Sequence, residues 1–209
     1  MITESITPRG LGPVAYGNFN FLSNFFSQVV GFFDAGTSTA FYTKLSQRPT
    51  DTGLLRFYWG FTELLSLTVC LGVGIVFSLG LESWLWPEQK TLYIWLAVIW
   101  GLLAWYSERI NHIVDAYGLT IKSEIARIQQ KILGLLLILL MFWADRFSLT
   151  EFFIYQFVTL LFLCLAWWRL LKQSGQVLFP RIKLTLPQIK DYSQEFYQYS
   201  APLITFTFF

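Results

Sequence analysis

Charge is scarce in this chain. Of its 209 residues only 13% are Asp, Glu, Lys or Arg, and 55% are hydrophobic. An average soluble domain carries about 25% charged residues. A soluble core of this length has no room for so much apolar surface, whereas a lipid bilayer does. Histidine and cysteine are nearly absent as well, at one and two residues. Cys70 and Cys164 both lie inside apolar runs and read as small buried hydrophobes, so no disulfide or redox role is expected. His112 has no second His or Cys near it, so a metal site lacks ligands. Phosphate-loop, nucleophile-elbow and acid-rich metal motifs are missing too, so neither an enzyme nor a cofactor is expected. A net charge of +2 leaves no footprint for nucleic acid. No signal peptide is visible, because residues 1–18 are polar and rich in Pro and Gly.

What the chain does have is long apolar runs and aromatic rings. Nine Trp and ten Tyr suit the two water–lipid interfaces, where such rings settle. Residues 1–17 read as a loop-like lead, with Pro8, Pro13 and three glycines. Five apolar spans follow, at about 18–42, 54–80, 90–106, 128–143 and 151–171. Each approaches or exceeds the roughly 20 residues that cross a bilayer. Trp84, Trp86 and Pro87 mark an interface and a break. Between the third and fourth spans an amphipathic rhythm of isoleucines continues, interrupted near Gly118. Residues 172–199 read as a polar linker with Pro180 and Pro187, and 200–209 as the start of a further transmembrane helix. The fold class is therefore all-α, a polytopic membrane helix bundle.

Basic residues orient it. Taken in order, the lead, the four connections and the last linker hold 1, 3, 1, 4, 1 and 5 Lys or Arg, which accounts for all fifteen. Cytoplasmic loops retain such residues, so the poorer segments are expected outside and the richer ones inside. The lead, 1–17, is then extracytoplasmic, 18–171 crosses five times, and 172–199 is cytoplasmic.

Residues 10–44 stand out from the rest. This stretch is apolar enough for a membrane, yet it carries Asp34 among Gly31, Gly36, Ser38 and Thr39. A carboxylate at the centre of a bilayer helix costs about 2.5–3.5 kcal/mol on insertion scales, so it faces protein or a watery cavity. Small neighbours let other helices approach closely. Asp34 therefore either lines a cavity or makes a structural hydrogen bond to an adjacent helix.

The same stretch resembles the lipid-linked oligosaccharide flippases, the polysaccharide-exporter relatives of the MATE drug exporters. Leu11-Gly12-Pro13-Val14-Ala15-Tyr16-Gly17-Asn18-Phe19 matches that family's turn between its first and second helices. Phe33-Asp34-Ala35-Gly36-Thr37-Ser38-Thr39-Ala40 matches the end of the second. Tyr42, Thr43 and Lys44 stand where the family usually has an Arg-Glu-like pair. The resemblance implies that residues 18–171 correspond to helices two to six of the N-terminal lobe of a two-lobe exporter, with the family's first helix missing. It implies transport of an undecaprenyl-pyrophosphate-linked oligosaccharide across the bacterial cytoplasmic (inner) membrane by alternating access. The implied partners are the lipid bilayer, that lipid-linked oligosaccharide and other polysaccharide-assembly membrane proteins. Alternatives are a non-transporting truncated remnant or assembly partner, a drug or ion antiporter of the same superfamily, and a membrane-embedded polymerase or transferase.

Six residues are candidates for the cavity. Asp34 is the first. Arg56 and Glu63, seven apart, can share one helix face; Arg56 either meets a pyrophosphate or snorkels to the interface. Glu63 either lines the cavity or pairs structurally. Arg109, His112 and Asp115 recur at three-residue steps, either as a vestibule for an anionic head group or as the solvated side of an amphipathic helix. Gly72 and Gly74 read as helix-packing positions.

Overall fold

The computed structural model describes residues 2–34, 36–144 and 147–208, and they form an all-α bundle. Its helices are α1 (Ile2–Asp34), α2 (Thr37–Gln47), α3 (Thr52–Ser78), α4 (Glu82–Leu85), α5 (Thr91–Ala116), α6 (Thr120–Trp143), α7 (Leu149–Gln173) and α8 (Leu186–Phe208). Local chemistry sets several boundaries. The Asp51 carboxylate accepts from the Leu54 amide at 2.9 Å and caps α3. Ser148 and Glu151 cap α7 reciprocally, each side chain accepting from the other's backbone N–H. The chain turns at Gly118 between α5 and α6, and the short α4 fills the turn before Pro87.

Helix α5 runs through the middle and packs on α1, α2, α6 and α7. Around it are two apolar cores. One gathers Phe41, Leu45, Leu55, Tyr58, Ile113, Trp167 and Phe196. The other gathers Leu22, Phe26, Trp86, Ile94, Val98 and Phe153. Phe26 is 1% exposed because α1 lies directly against Gly101 of α5. Gly101 is thus a close-approach glycine, and so is Gly134, which lies under the Tyr155 hydroxyl. Gly72 and Gly74, read from sequence as packing positions, face open space.

The outer faces are greasy. Leu67, Leu71, Ile132, Leu136, Leu161 and Leu165 are all at least half exposed. Among the described residues three helices, α3, α6 and α7, are long and apolar enough to cross a membrane. Apolar helix faces turned outward on this scale are those of a membrane protein, with lipid covering what water would not. The first and third expected spans are carried by α1 with α2 and by α5, which lie outside that set of three.

Two expectations need correction. The lead is not a loop. Residues 2–11 are helical, and α1 departs from helix only at Gly12, which sits at φ 76 and ψ 162. A residue with a Cβ avoids that conformation. Pro13 then opens the longer arm, where its missing N–H costs nothing. Tertiary packing overrides the local Pro and Gly signals here, since Thr7 and Leu11 are buried and Gly10 lies under the Phe147 ring.

The second correction concerns residues 172–199. Only its first part is irregular; α8 starts at Leu186 and continues through 200 to Phe208 without a break. Pro187 falls in its first turn, and the Gln188 side chain accepts from the Thr185 amide at 3.0 Å. Helix α8 docks on α2 and α3. Glu195 accepts from Arg48 at 2.6 Å and pairs with Lys44 at 3.0 Å. Tyr192 donates to Asp51 at 2.9 Å, and Phe196 is buried against Phe57 and Tyr58. Burial and then that bond to Asp51 push the Tyr192 phenol up to about 12. Of the basic residues used for orientation, Arg146 lies outside the described residues.

The hydrogen bond from Arg48, helped by Lys44 and opposed by partial burial, holds the Glu195 carboxyl below the ordinary glutamate range. A carboxyl depressed in the folded state contributes stability above its usual value of 4.5 and loses it as pH falls through the lowered one. Acidification below about pH 4.5 is therefore expected to loosen α8 from α2, read as lower amide protection factors over residues 186–199, each referred to the intrinsic exchange rate at its own pH. Glu195→Gln should show the lower protection already at pH 7. Equal protection factors in both proteins at both pH values would rule the docking role out.

Candidate functional site

The site is built where α1 ends. Gly36, at φ 82, stops the helix and α2 restarts at Thr37. Only glycine takes this left-handed conformation without strain. The break aims the first amides of α2 back at Asp34. The Ser38 N–H donates to Asp34 Oδ1 at 3.2 Å, the Thr37 hydroxyl donates to the same oxygen at 2.9 Å, and the Ser38 hydroxyl reaches both carboxylate oxygens at 2.6 and 2.7 Å. The carboxylate thus sits at the positive end of the α2 dipole.

Arg109 of α5 completes the arrangement. One of its terminal nitrogens donates to Asp34 Oδ1 and the other to Ser38 Oγ. Arg109 is 0% exposed and Asp34 23%. The guanidinium lies 4.5 Å from the Trp105 ring centre and 5.0 Å from that of Tyr58, within cation–π range of both. The Tyr58 hydroxyl is a further 3.5 Å from Ser38 Oγ. One Arg109 donor, Nε, is buried without a hydrogen-bond partner among the described residues. The result is a carboxylate–guanidinium pair held between a helix start and two aromatic faces.

The six sequence candidates separate into different places. Asp34 and Arg109 meet, although 75 residues divide them. Arg56 and Glu63 face one another at 3.8 Å on the outside of α3, both well exposed, and Arg56 borders a groove toward Lys183. His112 lies 3.9 Å from Glu108 and edges toward the Tyr42 ring. Asp115 accepts from Asn111, which in turn accepts from the buried Ser123 hydroxyl. Among the described residues no hydrogen bond or ion pair joins Arg109, His112 and Asp115 directly: Arg109 turns into the core and the other two keep local partners. The sequence alone marks Ser38 only as a small residue and gives no signal for Tyr58 or Trp105 as site residues. No group of three or more His, Cys, Asp or Glu able to hold a metal occurs among the described residues.

Comparison with protein-family models, with curated proteins and with solved structures gives no match.

Proposed function

We propose that this chain is one helical lobe of a transporter that moves an undecaprenyl-pyrophosphate-linked oligosaccharide across the bacterial cytoplasmic membrane. The observation that carries the reading is the interrupted α1–α2 helix, with Asp34 at the break and a fully buried Arg109 against it. Transporters place their sites at such discontinuous helices, where half-helix N-termini meet anionic groups. Ionisable residues are rare in membrane segments and mark substrate or ion pathways.

The pair suggests how an anion would be handled. A pyrophosphate offers the same forked acceptor as a carboxylate and carries more charge. It would compete with Asp34 for the two Arg109 nitrogens, and the unpartnered Nε is a third donor for it. Asp34 would stay on the α2 amides and hydroxyls while Arg109 turned to the substrate. No bond is made or broken. Alternating access requires one bundle to rock against another, so a second lobe or partner protein belongs to the working unit.

Arg109→Lys tests this. Lysine keeps the charge and the pairing but loses the fork that a diphosphate needs. In the bacterium, surface polysaccharide is expected to fall at least tenfold while the protein persists in the membrane. Unchanged polysaccharide would sink the transport reading and favour the second one, an assembly partner in which the pair is purely a latch. That second reading rests on one observation: Arg109 is fully buried in its hydrogen-bonded cluster.

Topology gives an independent check. A reporter fused after Arg48 is expected to read cytoplasm and one after Glu88 outside. The reverse result would remove the charge argument for orientation.

A further inference from the structure

We infer that the cleft between α6 and α7, at the end rich in basic residues, is a binding site for an anionic phospholipid of the cytoplasmic leaflet. This site is separate from the Asp34–Arg109 pair and does not depend on transport. A groove of about 490 Å³ opens there between the first turns of α6 and the last turns of α7. Its walls are Ile125, Ala126, Phe162, Leu165 and Ala166, an apolar lining. Its mouth is polar and cationic, with Lys122 from α6, Arg169 from α7 and the amide side chains of Gln129 and Gln173.

Neither cation is spoken for. Among the described residues, no ion pair or hydrogen bond engages Lys122 or Arg169. Their neighbours differ. Arg127 pairs with Glu124 at 3.3 Å and covers the Trp167 ring, while Lys172 covers Trp168. The only acid among these neighbours, Glu124, is thus already engaged, and two free positive charges sit above an open apolar slot. Phosphate held by two cations and two amide donors, with a chain laid along the slot, satisfies both halves of the site at once. Basic pockets between membrane helices on the cytoplasmic side recognise anionic lipid head groups in this way.

The test is native mass spectrometry of the delipidated full chain, titrated with phosphatidylglycerol or with phosphatidylcholine of the same acyl chains. The wild type is expected to hold phosphatidylglycerol at least about tenfold more tightly, given the attraction of each basic residue for an anionic head group. Lys122→Gln/Arg169→Gln should lose that preference. Lys122→Arg/Arg169→Lys, which keeps both charges, should retain it, as should Arg181→Gln/Lys183→Gln, which removes two cations outside the cleft. Equal binding of the two lipids by the wild type would overturn the site. So would a preference that survives in the first variant, or one lost equally in the last, since it would then belong to diffuse surface charge.

Discussion

Asp34→Ala is expected to destabilise the bundle by about 3–5 kcal/mol, the usual cost of leaving one member of a buried pair behind. The reason is the burial of its partner. Arg109 is 0% exposed, so its guanidinium would keep its charge with only Ser38 Oγ and two ring faces around it. Arg109→Met is expected to cost less, roughly 1–3 kcal/mol, the penalty for weakening one buried polar group. Asp34 is 23% exposed and retains Thr37, the Ser38 hydroxyl and the Ser38 amide, so it is never stranded. The double variant Asp34→Ala/Arg109→Met should then be more stable than Asp34→Ala alone, because coupled residues do not add. Unfolding by SDS titration in mixed micelles measures all three. An Asp34→Ala protein within about 1 kcal/mol of wild type would show that the pair contributes little to the fold.

Gly101→Val should be the next most damaging change. A Cβ at this position already stands 3.2 Å from Phe26 Cβ and 3.7 Å from the Phe26 carbonyl carbon. Those atoms belong to α1 at its contact with α5, and a backbone cannot step aside as a side-chain tip can. The added methyl groups would push α1 off α5, an overpacking cost of about 1–3 kcal/mol. The matched control is Gly72→Ala, where nothing lies within 4 Å of the new Cβ. That change should be neutral or stabilising by up to ~1 kcal/mol. If the two variants unfolded alike, α1 and α5 would not be in the contact described.

The division between what could and could not be read from the residues follows the range of the physics involved. Breaks made by local chemistry were legible: Pro87 after the second span and Gly118 between α5 and α6. So was the all-α membrane class, which depends on summed hydropathy. The helix over residues 2–11 is hidden in the sequence because Pro8 and Pro13 are local loop signals, whereas the packing of Gly10 under Phe147 is a tertiary fact. The start of α8 has a readable signature, Thr185 followed three residues later by Gln188 with Pro187 between, a proline that suits a first helical turn as well as a linker. Arg56 and Glu63 share a face because seven residues make two turns. Nothing comparable links Asp34 to Arg109, since no spacing rule spans two different helices.

That separation has a consequence during synthesis. Asp34 is made 75 residues before Arg109. At about 5–20 residues per second, the nascent chain carries its acid without its counter-ion for roughly 4–15 s. Through that interval α2 has its cap but no anchor. The half-made protein on the ribosome, and not the finished bundle, is therefore the state in which this carboxylate most needs a host, and the state that insertion machinery and membrane proteases would meet first.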